Sequence, residues 1–153
     1  MSEKLIREKI AAMVASVPGT GVVHSRARGA ANAEQFLLLF QDPDTKTILG
    51  FEVCRESDSE VYDTADDSTQ THSFVIRGYK GLNDENNTYD AFQTLVEAVK
   101  DRFRFDHDLS GLQAEIGLVG ALQVRVINEK VFGSILCHCA ELVISVSEMK
   151  TKT

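Results

Sequence analysis

Three scarcities bound what this chain of 153 residues can be. Cysteine is the first. There are three, an odd set, and Cys137 and Cys139 stand too close in one strand-like run for a typical structural bridge, so reduced thiols in a cytosol-like compartment are expected. Basic side chains are the second: 16 Lys and Arg face 23 Asp and Glu, a formal charge of −7. Tight binding to nucleic-acid phosphates is driven mainly by Lys and Arg releasing counterions, so this balance argues against it. Long apolar runs are the third. None reaches the ~18 residues of a membrane-spanning helix. The opening MSEKLIREKIAAMVASVPG has acidic residues and no continuous apolar centre, which predicts neither a secretory signal nor a transit peptide. The P-loop, the Rossmann fingerprint, the nucleophile elbow and the zincin helix are also missing. No repeat or linker divides the chain, and a domain of about 150 residues can bury roughly 70% of its unfolded surface. Residues 1–153 are therefore expected to form a single domain that needs no metal or disulfide staple.

What the chain does have is a long two-faced run near its end. Phe132 to Glu148 alternates with a period of two, as a strand does when one face meets a core. Leu136, His138, Ala140, Leu142, Ile144 and Val146 make one row; Cys137, Cys139, Glu141, Val143, Ser145 and Ser147 make the other, which reads as contact surface. Upstream, the spacing of Leu5, Ile6, Ile10, Met13, Val14 and Val17 predicts a helix over 3–17, with Ser2 as cap and Pro18-Gly19 as stop. Val22 to Arg28 reads as a strand. Phe36 to Phe40 reads as a strand apolar on both faces, joined through a turn at Asp42-Pro43-Asp44 to a strand carrying Leu49, Phe51 and Val53. Residues 55–71, rich in acidic and hydroxyl side chains, read as a mobile acidic loop. A strand resumes at Phe74 and Ile76 and ends at Tyr79 and Gly81. Asn87 or Thr88 caps a second helix with Phe92, Leu95, Val96, Val99 and Phe103 on one stripe. The region 106–120 reads as turns, and a last hairpin turns around Asn128-Glu129-Lys130. The expected fold is α+β: a mostly antiparallel sheet of four to six strands with two main helices on one face. A strand apolar on both sides needs cover on both sides, so the surplus is assigned to another subunit.

Several clusters invite chemistry. Cys137-His138-Cys139 has zinc-ligand residue types, but in a strand the two sulfurs and the imidazole point to opposite faces. No helix start lies beside either thiol to favour the thiolate, and Glu141 on the same face opposes it. Asp101, Asp106, Asp108 and His107 lack EF-hand spacing and read as a solvated helix end. His24, Arg26 and Arg28 form a basic strand face better suited to carboxylates than to phosphates on so acidic a chain. No catalytic, metal or cofactor residue is assigned.

The order of these pieces resembles the tail terminator and tail-completion proteins of long-tailed bacteriophages. The resembling stretches are the opening helix, Phe36 to Phe40 with Phe51-Glu52-Val53, Phe74 through Leu82, Phe92 through Val96, and Phe132-Gly133 with Leu136-Cys137-His138 and Ala140-Glu141-Leu142. Phe51 stands where related chains often have tryptophan. The resemblance implies a structural protein without catalytic residues, found in the tail or neck of the virion and assembled in the host bacterial cytoplasm. It implies a homo-oligomeric ring, hexameric, that caps the tail tube, ends tube polymerisation and joins the tail to the head connector. DNA only passes through its channel, and no membrane takes part. The candidate subunit or partner contacts are Arg26, Arg28, Phe36, Leu38, Cys137, Cys139, Glu141 and Val143. Asp58, Glu60, Asp63, Asp66 and Asp67 are candidates for a partner-binding acidic loop. Another head–tail connector or neck protein is the alternative in the same class; a small cytosolic thiol enzyme or metal protein using Cys137, His138 and Cys139 is the alternative outside it.

Overall fold

The computed structural model describes residues 2–132 and 134–153. Helix α1 (Ser2–Ala15) leads to strand β1 (Val22–His24), helix α2 (Ala33–Phe40) and a long hairpin of β2 (Leu49–Tyr62) and β3 (Asp67–Gly81). A 3₁₀ turn (Asp84–Asn86) precedes helix α3 (Thr88–Phe103), and β4 (Ile116–Leu118), β5 (Gln123–Phe132) and β6 (Ile135–Thr151) follow. The fold is α+β. Its six-stranded mixed sheet runs β1-β2-β3-β6-β4, with β5 sharing the β4 edge of β6. The β1–β2 pair is parallel and the other ladders are antiparallel.

One face of the sheet carries the main core. Ile6, Ile10, Met13 and Val14 of α1 and Phe92, Val96, Val99 and Phe103 of α3 close over Phe51, Val53, Phe74, Ile76, Leu142, Ile144 and Val146. The even row of β6 supplies the floor as its alternation predicts, except that Leu136, at its start, is exposed. Gly78 makes room for the buried Phe51: a Cβ there would lie 2.4 Å from the Phe51 ring. Asn87 starts α3 in the left-handed region, which asparagine tolerates, and its side chain accepts from Asp90 N.

The opposite face is where the sequence reading needs correction. Phe36 to Phe40 is not a strand but the second half of α2. Asn32 caps this helix by accepting from Gln35 N, and Gln35 returns the bond by accepting from Ala31 N, a reciprocal cap. Phe36 and Phe40, four apart, land on one side and pack with Ile48, Tyr79, Cys137 and Cys139 in a second, smaller core. The double-sided apolar strand therefore does not exist, and α2 itself covers part of the face expected to need a neighbour.

Residues 55–71 are not a loop either. Residues 55–62 complete β2, 63–66 make the turn and 67–71 begin β3, with pairing from Ser57↔Ser73 to Tyr62↔Ser68. The strand expected over Val22–Arg28 stops at His24, and β4 lies within the stretch read as turns. Asn128, Glu129 and Lys130 sit inside β5, paired with Cys139, His138 and Cys137. The reversal falls between the paired Phe132 and Ile135; Gly133 lies outside the described residues.

Candidate functional site

The sheet face that α2 covers only in part carries the most unusual chemistry of the molecule. The apolar stretches FEVC of β2, VIRGY of β3 and AELVI of β6 each embed one charged residue, and their register sets these in a single row, Glu52↔Arg77↔Glu141. Arg77 Nε donates to Glu141 Oε2 at 2.9 Å, and its Nη1 lies 3.9 Å from Glu52 Oε1. Glu52 is buried, and it accepts from the Tyr79 hydroxyl at 3.1 Å and from the backbone N–H of Arg28 at 2.8 Å.

Two irregularities extend the row. Register shifts single out Glu56 in β2 and Arg125 in β5, and bulges commonly re-aim a side chain. Here they aim these two at each other across β3 and β6. Arg125 Nη1 donates to Glu56 Oε1 at 2.6 Å, while Nη2 approaches Glu141 Oε1 at 3.5 Å. The result is a belt of alternating sign, Glu52–Arg77–Glu141–Arg125–Glu56. The hydrogen bond from Arg77 holds the Glu141 carboxyl below its ordinary range, and the same bond raises Arg77. Burial, reinforced by Glu52, pushes the Tyr79 phenol up.

Beyond the belt this face turns to hydroxyls. The odd residues of β3 and β6 give the rows Ser57–Ser73–Ser145 and Ser59–Thr71–Ser147, ending in Val61–Thr69–Met149. These rows belong to an arm that the β2–β3 hairpin and the end of β6 extend past the helices. The acidic residues of the arm are tied across its strands. Gln70 donates to Asp58 at 2.9 Å, Ser68 to Glu60 at 2.7 Å and Thr69 to Asp63 at 2.6 Å. Thr64 donates its hydroxyl to Asp67 at the tip, and Lys152 N donates to Asp66 O. At that tip Val61, Tyr62 and Met149 are exposed. β1 pairs with β2 only at Gly50–Glu52, so the outer edge of β2 from Val53 to Tyr62 has no strand partner among the described residues.

On the core-side face of the arm lies a buried polar group. His72, Gln70 and Glu148 are buried, and both His72 ring nitrogens, Gln70 Oε1 and Glu148 Oε2 lack a partner among the described residues. Burial lowers the His72 imidazole below its ordinary value of 6.5.

The structure separates the residues singled out from sequence. Glu141 belongs to the belt, and Val143 lies half-buried two residues further on the same face. Phe36, Cys137 and Cys139 pack inside the second core; Leu38 is 81% exposed on the far side of α2. Arg28 lends its Nη1 to His24 Nδ1 at 3.2 Å, whose other nitrogen meets Leu39 O at 2.6 Å and fixes the end of α2. Arg26 is exposed beyond β1. Asp58, Glu60, Asp63, Asp66 and Asp67 lie together on the arm, as strand and turn residues instead of a mobile loop.

Burial raises all three thiols, Cys137 to about 11. His138 points the other way, stacks on Phe92 and bonds Thr88 Oγ1 at 2.8 Å. No group of three or more His, Cys, Asp or Glu among the described residues is placed to hold a metal. Asp106 lies well below the usual carboxylate range, at about 2, because the Ser110 hydroxyl donates to it; it fixes the turn after α3. Among the described residues no helix is long and apolar enough to cross a membrane.

Sequence reasoning missed Glu52, Glu56, Arg77 and Arg125. The signal was a single charge embedded in an apolar strand, as in FEVC, VIRGY and AELVI. Compared with known proteins, the chain matches no protein-family model and no curated relative.

Proposed function

We propose that this protein is a structural assembly subunit of the tail end of a long-tailed bacteriophage. Its copies join in a closed ring of six that caps the tail tube, ends tube polymerisation and offers a surface to the head connector. DNA passes through the channel without being bound, in keeping with the net charge of −7. Assembly takes place in the host bacterial cytoplasm, and the finished ring belongs to the virion.

The observation that carries this reading is the arm. Folded proteins usually shorten, cover or blunt an edge strand, because its unpaired N–H and C=O groups template association. Here β2 runs on past β1 as an edge that is open among the described residues, and exposed Val61, Tyr62 and Met149 lie at the tip. Charge blunts the edge without covering it, since Glu56, Asp58 and Glu60 are exposed along it. An ordered, open, acidic extension fits a subunit that completes itself against a neighbour or a tube.

The test is electron microscopy and native mass measurement of the purified chain, with and without tail tubes. Rings at tube ends are the expected result. A companion variant replaces Glu60–Gln70 by Asn-Gly, which joins the paired Ser59 and Thr71 by a two-residue turn. It should fold and lose tube or connector docking; docking at native strength would remove the arm from this role, and tubes that elongate freely in the presence of the native protein would reject the capping function.

A further inference from the structure

Every residue of β2 from Arg55 to Tyr62 is exposed, whereas the β3 residues from Asp67 to Ser73 alternate between buried and half-buried. The difference is a missing neighbour. β3 lies between β2 and β6, but beyond Glu52 no strand lies outside β2 among the described residues. Eight extended residues present about 27 Å of edge, along which alternate residues turn N–H and C=O outward. Proline and lysine, two common guards of such an edge, are both missing between Val53 and Tyr62. Only charge guards it, and that charge is mostly of one sign: Glu56, Asp58 and Glu60 against Arg55.

The carboxylates have a pattern that a partner can read. Glu56, at the bulge, is committed to Arg125. Asp58 and Glu60 follow on the core-side face, opposite His72 and Gln70. They are held in place from β3, where Gln70 donates to Asp58 at 2.9 Å and Ser68 to Glu60 at 2.7 Å. Arg55 also reaches Asp58, at 3.2 Å, in an exposed ion pair worth little. A carboxylate has about four acceptor sites, so both groups keep capacity towards the open side. On the other face the same edge shows only Ser57, Ser59 and Val61.

This pattern selects among strands. A second β2, paired antiparallel about a two-fold axis, would set Asp58 and Glu60 against the same two carboxylates, and like charges directly opposed are destabilising. A strand with Lys or Arg at alternate positions reverses the sign of that term.

We infer that the outer edge of β2 from Arg55 to Tyr62 is a strand-addition site for an extended basic segment of a partner protein. Its Lys or Arg side chains lie beside Asp58 and Glu60, and small hydroxyl or β-branched residues between them lie beside Ser57, Ser59 and Val61. Backbone bonds supply affinity and the alternate side chains supply specificity. The site deepens the docking role given to the arm, and rests on that reading for its place in the assembly.

The probe is a synthetic eight-residue peptide alternating lysine and threonine, added to the full chain, with amide exchange followed by NMR. At about ten times its Kd, it is expected to slow every second amide between Arg55 and Tyr62 about tenfold. The same peptide N-methylated at every residue keeps its charge but donates nothing to the edge, and should leave exchange unchanged. Asp58→Asn with Glu60→Gln keeps acceptors for Gln70 and Ser68, so the arm should stay folded while binding weakens about 2- to 30-fold.

No protection at about 1 mM peptide, equal binding of the N-methylated peptide, or undiminished binding to the double variant would overturn the site. So would protection of these amides that rises with protein concentration without peptide, which would give the edge to a second copy. Strand addition by the peptide while tubes elongate freely would keep this site and reject the cap. Rings that cap tubes without binding the peptide would do the reverse.

Discussion

β2, β3 and β6 each run through two territories. Between Leu49 and Cys54, between Phe74 and Gly81, and over much of the first half of β6 their side chains are largely buried; beyond Arg55, Ser73 and Ser145 many are half-buried or exposed. In the body, helices close both faces over aromatic and aliphatic side chains. In the arm, hydroxyls and carboxylates bond from strand to strand. The same backbone ladder is thus held by hydrophobic burial in one half, and in the other by cross-strand pairs worth a few tenths to one kcal/mol each. Substitutions should therefore have large effects on the stability of the body and small ones on that of the arm, where their effects should fall on binding.

The largest effect expected is Phe51→Ala. This ring fills the space kept open by Gly78, and emptying it should cost about 3–5 kcal/mol in urea unfolding. Less than 1 kcal/mol would mean that the body core is looser than its burial suggests. Next is Arg77→Met at the boundary of the two halves, which leaves buried Glu52 without its cation and half-buried Glu141 with the longer contact to Arg125. A cost of about 1–3 kcal/mol is expected, discounted from a fully buried pair because Arg77 is partly solvated.

The same variant has a pH signature. Glu141 is held below its ordinary 4.5, so its contribution is full above that value and is lost as pH falls through the lower folded value. Arg77→Met should flatten this acid-side loss, and an unchanged acid limb would dissociate Glu141 from Arg77.

A smaller effect of opposite sign is expected for His72→Phe. His72 is buried with both nitrogens unpartnered among the described residues, and Glu148, Arg55, Asp58 and Lys150 act on it. Because burial lowers its folded value, the unfolded chain takes up the proton first, so stability falls as pH drops from 6.5 towards that lower value. Removing the imidazole should raise stability by about 1 kcal/mol and remove this loss; a fall in stability would show that the ring is bonded in solution. The smallest effect expected is Tyr62→Ala at the exposed arm tip, within about 0.5 kcal/mol in the same unfolding assay. A larger loss would place the arm within the cooperative body.

The body was much the more legible half. Its helices α1 and α3 and the core row of β6 follow from periodicity, because apolar side chains recur where the core needs them. Phe36 to Phe40 misled because a five-residue apolar run has no period of its own. The deciding marks were Asn32 and Gln35, spaced as a reciprocal cap. The arm misled for a different reason: acidic and hydroxyl residues suggest a loop by composition, yet Thr69–Asp63 and Ser68–Glu60 satisfy one another only once the strands are paired. The charged belt depends on register and on two bulges, neither of which any single segment specifies.

β6 carries one more consequence, for the timing of synthesis. It is the strand on which β3, β4 and β5 all pair, and it leaves the ribosome after every one of them. At roughly 5–20 residues per second, its 17 residues take on the order of one to three seconds to appear. Until they do, the inner margin of β3 from Asp67 to Gly81 has nothing beside it, so a neighbouring nascent chain, or a chaperone holding that margin, can decide which copy's final strand completes the sheet.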